Sequence, residues 1–167
     1  NARGLVNRYE TARVALAAAQ RRMETLSVLP AESDSLRVGR TVTGNVVVDT
    51  VTVGQTPEGI KLSPDESTVA VVMMNGSNKP KESPFFADNG KLVLFRVNGK
   101  TLQKVAEAPI GHWSQGAAFS ADGRTILVGN MVEKDIQVFQ WDGTTLKDTG
   151  TRIKVNGGSA ALRTADR

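Results

Sequence analysis

Gly54-Gln55-Thr56-Pro57-Glu58-Gly59-Ile60-Lys61-Leu62-Ser63-Pro64-Asp65 decides how this chain is read, because it recurs. Laid over it 57 positions further on, Gly111-His112-Trp113-Ser114-Gln115-Gly116-Ala117-Ala118-Phe119-Ser120-Ala121-Asp122 keeps Gly, Gly, Ser and Asp in register. Self-similarity at such a period marks stacked supersecondary units and outranks any single-residue motif. An apolar run follows each copy, Thr68-Val69-Ala70-Val71-Val72 and Thr125-Ile126-Leu127-Val128. The Ser-x-Asp segments that join them have the polar chemistry of a tight turn.

Further on, Leu94-Phe95-Arg96-Val97-Asn98-Gly99-Lys100-Thr101-Leu102 lies over Val138-Phe139-Gln140-Trp141-Asp142-Gly143-Thr144-Thr145-Leu146. Asn-Gly and Asp-Gly between strand-like runs signal hairpins, since both central positions must accept positive φ. Each copy therefore holds four strands. Strand A covers 59–62 or 116–119, B is the apolar run, C precedes the Gly turn and D follows it.

A third copy appears when Leu36 is laid over Leu146. Leu26-Ser27-Val28-Leu29 then falls over 136–139, and Leu16-Ala17-Ala18-Ala19 over 126–129. Propensity alone makes the Ala- and Arg-rich stretch 11–23 a helix, but the register makes it strand B running into strand C, and tertiary context overrides propensity. Residues 13–20 and 25–30 are thus expected as paired strands. Val155-Asn156-Gly157-Gly158-Ser159-Ala160-Ala161-Leu162 matches 110–117, so a fourth copy begins and stops after its A strand.

Four-stranded units stacked around an axis are β-propeller blades, and closed rings have about 4–8 of them. The expected fold class is all-β, a propeller fragment of four-stranded antiparallel blades, two and a half to three blades of a larger, seven-bladed ring. The expected divisions are a partial blade with a basic N-terminal segment at 1–53, a blade at 54–110 with a long B-to-C insertion at 75–90, a blade at 111–155, and a closing strand and tail at 156–167. The remaining blades are expected upstream, with the terminal strand completing a blade begun there. A self-assembling partial propeller and an open sheet stack are the alternatives.

The cadence Gly-x-x-Pro-x-Gly-x-x-x-Ser-Pro-Asp at 54–65, with Val-Phe-x-x-Asp-Gly-x-x-Leu at 138–146, resembles the lactonase-like, YncE-type (YVTN-repeat) propeller family. The family mixes sugar-lactone hydrolases with binding modules, so the resemblance implies a fold and leaves the activity open. One blade also resembles the WD40 repeat through Gly111-His112, Asp135 and Trp141-Asp142, a set that forms a structural hydrogen-bond network in that family. The other copies depart from it, with Gln55 for His and Val97-Asn98 for Trp-Asp.

Composition bounds the partners. The net charge of +4 is local: residues 1–40 carry seven Arg against four acids, and the rest is nearly balanced. Such a segment without stacking aromatics beyond Tyr9 reads as a solvated face, and no nucleic-acid partner is expected. No run of about 18 apolar residues is long enough to span a bilayer. With no Cys, disulfides and thiolate chemistry are absent. The chain begins at Asn1, and an exported, periplasmic setting with its signal upstream is expected from the family resemblance.

Antiparallel order A, B, C, D places the D-to-A and B-to-C connections on one face and the two short turns on the other. On the first face fall Glu58, His112, Trp113, Gln115, Asn75, Asn130 and the insertion 75–90, whose Phe85-Phe86 pair suits a lid with Phe86 as an apolar wall. His112, the one His, is a candidate for ligand contact, or it ties loops together through Asp135. Glu58, Gln115, Asn75 and Asn130 line a polar mouth or satisfy backbone groups. Carboxylates are too scattered to form a metal site, no cofactor is implied, and no residue is assigned a catalytic role. The expected function is a noncatalytic binding or scaffold module taking a small-molecule or protein ligand on this face. The alternative is a sugar-lactone hydrolase of 6-phosphogluconolactonase type whose site is completed by other blades.

Overall fold

Two kinds of turn set the strand ends. In the computed structural model, which describes residues 35–41 and 45–164, Ser63 Oγ donates to Asp65 Oδ1 (2.6 Å) and accepts from the Thr68 amide (2.9 Å). Ser120 repeats this with Asp122 (2.5 Å) and Thr125 (2.9 Å). The seryl hydroxyls, followed by neighbouring hydroxyl or amide donors, hold Asp65 and Asp122 below the usual carboxylate range. The second kind is the glycine hairpin, with Gly99 at φ 59° and Gly143 at φ 94°.

Between these turns run β3 (Pro57–Leu62), β4 (Thr68–Met73), β5 (Gly90–Asn98) and β6 (Thr101–Ile110), then β7 (Ala117–Phe119), β8 (Thr125–Asn130), β9 (Asp135–Trp141) and β10 (Leu146–Lys154). Each set forms one antiparallel sheet in the order of the chain, the A-B-C-D meander expected from the repeat. A two-stranded hairpin, β1 (Ser35–Thr41) and β2 (Asn45–Thr52), precedes them.

That hairpin corrects the third copy. Leu36 over Leu146 makes β1 a D strand. Instead β1 pairs with β2, and β2 leads through Val53 into Gly54 as β6 leads into Gly111. β1 therefore holds the C position and β2 the D position. Asp49 Oδ2 of β2 accepts the Leu102 amide of β6 (2.8 Å), so two D strands lie side by side. The strands expected at 13–20 and 25–30 lie outside the described residues.

The first sheet is buried on both sides. Ala70, Val72, Leu92 and Leu94 pack against Ala117, Phe119, Ile126, Val128, Phe139 and Trp141 of the second sheet. Val69, Val71, Met73, Val93, Phe95 and Leu102 pack the other way, with Val51 and Val53. Each fully buried large apolar side chain contributes roughly 1.5–3 kcal/mol, so this two-sided packing is the main cohesive term. Close approach of the inner strands requires glycine: a Cβ on Gly59 would lie 2.1 Å from the Gln115 carbonyl oxygen. Gly116 meets Ala161 and Leu162 in the same manner, so the segment expected as a terminal A strand lies against the second sheet, but its described residues are not a strand.

Candidate ligand face

The two ends of the sheets differ in construction. At one end the short turns brace each other, Val97 N donating to Ser67 O (2.9 Å) and Trp141 N to Arg124 O (2.8 Å). The Arg96 guanidinium reaches across to the Gly143 carbonyl of the next sheet. Asp142 Oδ1 accepts from the Thr144 and Thr145 amides, and these bonds, Thr145 first, keep its carboxyl below the usual range.

At the other end, the links before β3 and β7 interlock with the connection between β4 and β5. The Met74 and Asn75 amides donate to the carbonyls of Thr56 (3.0 Å) and Gln55 (3.2 Å). Gln55 Nε2 donates to Phe85 O (2.7 Å), and Gly90 N to Gly111 O (3.1 Å). Buried Ser77 accepts the Trp113 amide on its Oγ (3.0 Å) while donating to Met74 O (2.7 Å). The insertion is thus pinned through Ser77 and Gly90 to the link that carries His112 and Trp113, and through Phe85 to the link before β3, on the face that strand alternation assigns to it.

His112 ties loops together, but its partner is Glu133 and not Asp135. Its Nδ1 lies 2.5 Å from Glu133 Oε1, and its amide donates to both carboxylate oxygens at 3.0 Å. Asp135 is buried beneath, accepting from Asn130 Nδ2 (2.9 Å) and Lys154 Nζ (3.1 Å). The turn 131–134 folds back over the link, with Val132 N donating to His112 O (3.4 Å), and brings Glu133 nearer than the register suggests.

Asn130 is withdrawn from the set of ligand contacts. It is 1% exposed, its Oδ1 accepts from Gly111 N (3.1 Å) and Ser114 Oγ (2.7 Å), and its amide donates to Asp135 and Gln137. Its polar capacity is used in shaping the link. From Gln137 the chain of bonds continues to Asp148 (2.7 Å), which Arg152 grips with both guanidinium nitrogens. That grip, the largest of several causes, lowers the Asp148 carboxyl to about 2.

Glu58 is exposed on β3, and Gln115 is half-buried with its amide on Gly129 O (3.3 Å). Asn75, at φ 54°, donates through Nδ2 to Asn89 O (3.1 Å). It also lines a cleft of about 350 Å³ with Asp88, Lys91, Glu107 and Pro109, at the root of the insertion beside the end of β6. Phe86 is half-buried, and Phe85 is the exposed member of the pair at 63%. Trp113 is 44% exposed and held at φ 52°, and Val132 is 58% exposed. Among the described residues, no three His, Cys, Asp or Glu side chains come together in a way that could hold a metal ion. The sequence did not point to Gln55, Ser77 or Glu133, and of the Phe85-Phe86 pair expected at the lid the exposed member is Phe85. Ser77 had one signal available, as a small polar residue just past the end of a strand opposite a loop amide.

Four-stranded antiparallel sheets packed face to face, inner strand against inner strand, define a portion of a β-propeller. The chain is similar to solved structures of candidate 6-phosphogluconolactonases from Bacteroides fragilis (TM-score 0.65, 23% identity, 80% of this chain) and Bacteroides uniformis (0.61, 24%, 75%). It is also similar to the periplasmic gluconolactonase PpgL of Pseudomonas aeruginosa (0.59, 17%, 77%). It spans 36%, 36% and 37% of those chains, and at these identities the likeness is one of fold. No protein-family model and no curated protein matches it.

Proposed function

We propose that this chain forms part of a YncE-type binding propeller whose ligand docks on the face carrying Trp113, the insertion 75–90 and Val132. One observation carries the reading: among the described residues, three of the four exposed large hydrophobics, Phe85, Trp113 and Val132, lie on this face. They sit on loops held by cross-loop hydrogen bonds, so the surface is pre-organised for a partner. Glu58, Gln115 and Asn75 supply polar contacts around them. An exported, periplasmic setting accompanies this reading.

Calorimetry of the intact protein against sugar acids, sugar lactones and short peptides tests it. Trp113→Ala, His112→Ala and Glu58→Gln are expected to weaken binding at least about tenfold, and Asp142→Asn to leave it unchanged. Equal effects from both faces would end the proposal. A second reading, a sugar-lactone hydrolase completed by other blades, is favoured by the fold likeness to the lactonase structures. Lactone hydrolysis with added divalent metal, lost on Glu58→Gln or His112→Ala, would favour it over the binding module.

A further inference from the structure

Strand register turns Lys91, Val93 and Phe95 of β5 to one side of the first sheet, opposite Pro109, Glu107 and Lys104 of β6. Val93 and Phe95 pack on that side with Val51 and Val53, whereas Leu92 and Leu94 pack against the second sheet. Lys91, Glu107 and Pro109, which line the cleft of about 350 Å³ with Asn75, Ala87 and Asp88, therefore belong to the side away from the second sheet and its Trp113 link. The size of this cleft, at the lower end of the range for small-molecule sites, suits a compact ligand.

The charges around the cleft are unequally satisfied. Lys104, which does not line it, takes Glu107, with Nζ 2.6 Å from Oε2, and this bond, ahead of the Lys91 charge, holds the Glu107 carboxyl below its usual range. Lys91 is left 4.0 Å from Glu107 Oε1, beyond hydrogen-bond reach, so none of its three donors is taken up. Asp88 is exposed and makes no hydrogen bond or ion pair with the described residues. A cation and an anion thus line one cleft without pairing with each other. The backbone that carries both is fixed: Asn75 Nδ2 donates to Asn89 O (3.1 Å), Gly90 N to Gly111 O (3.1 Å), and a Cβ on Gly90 would lie 2.8 Å from Met73 O. Such pre-organisation cuts the ordering cost of binding.

We propose that this cleft binds a small aliphatic α-amino acid, whose carboxylate meets Lys91 Nζ, whose ammonium meets the Asp88 carboxylate, and whose side chain lies against Ala87 and Pro109. A ligand of one charge gains from one of the two residues and is repelled by the other, so both signs in one molecule are needed. The site is separate from the ligand face around Trp113 and stands if that reading fails.

NMR titration of the isotope-labelled intact protein with L-valine, L-valinamide and isovalerate tests it. L-valine is expected to move the amide signals of Asp88, Asn89, Lys91 and Ala108 with a Kd on the order of 1 mM. It is expected to bind at least about fivefold more tightly than valinamide, which lacks the carboxylate, or isovalerate, which lacks the ammonium. Asp88→Asn and Lys91→Gln should each weaken L-valine at least about fivefold, while Asp88→Asn leaves isovalerate no weaker and Lys91→Gln leaves valinamide no weaker. Asp142→Asn, at the opposite end of the sheets, should change none of these. Valinamide or isovalerate binding as tightly as L-valine would make this a site for a single charge and overturn the proposal. Signals unmoved at about 20 mM L-valine, or shifts centred on other residues, would overturn it as well.

Discussion

Glu66 and Gly123 stand at the same point of two equivalent turns, at φ 61° and 71°. An L side chain there costs roughly 1–2 kcal/mol, offset in part by the greater freedom glycine has when unfolded. Gly123→Ala is expected to destabilise by about 1 kcal/mol in urea titration, since its Cβ would meet Pro64 only at an ordinary 3.8 Å. No loss would show that the turn accepts a side chain there without strain. At the outer strand, Asp148 titrates near 2 because Arg152 grips it first of all. Its folded pKa lies below its unfolded one, near 4, so the pair's stabilisation is full above pH 4 and is lost as pH falls through about 2. Arg152→Gln is expected to flatten the loss of stability across that window and to move the Asp148 carboxyl upward in an NMR titration. A carboxyl still titrating near 2 in the variant would place the cause elsewhere.

Gly59 shows how elements are held at a distance that a methyl group would spoil. Its Cβ would stand 2.1 Å from the Gln115 carbonyl oxygen, just before the next inner strand, and neither sheet can yield without leaving the core between them. Gly59→Ala is expected to cost about 3 kcal/mol or more, against about 1 for Gly143→Ala, where nothing lies within 4 Å and only the turn is strained. Equal costs in parallel denaturation would mean that the sheets separate easily. The elements themselves were largely legible: Ser-x-Asp and Asx-Gly turns fix where strands end, and β3 to β10 follow from them. The hairpin at 35–52 was not, for a physical reason. The insertion 75–90 makes the spacing of the copies unequal, so spacing alone does not catch a slip of one whole strand.

For the whole molecule, strand alternation alone assigned the insertion, His112, Trp113 and Glu58 to one end and the Asp142 turn to the other. It could not foresee that Asn130 would be saturated or that His112 would meet Glu133, because both depend on how the turn 131–134 folds back. The same alternation yields a test that separates fold from function. Ser77 and Gly90 anchor the stems of the insertion to the second sheet's link, at Trp113 N and Gly111 O, while Phe85 and its neighbours project between the stems. Replacing 78–88 by a short Gly-Ser loop removes the Gln55–Phe85 bond, one net interaction of about 1 kcal/mol, and leaves both stems attached. The denaturation midpoint is therefore expected to move little. Ligand binding by the intact protein is expected to fall at least about tenfold, because the exposed aromatic on that side of Trp113 is gone. Unchanged binding would move the ligand off this face, whereas a collapse of stability would make the insertion part of the core.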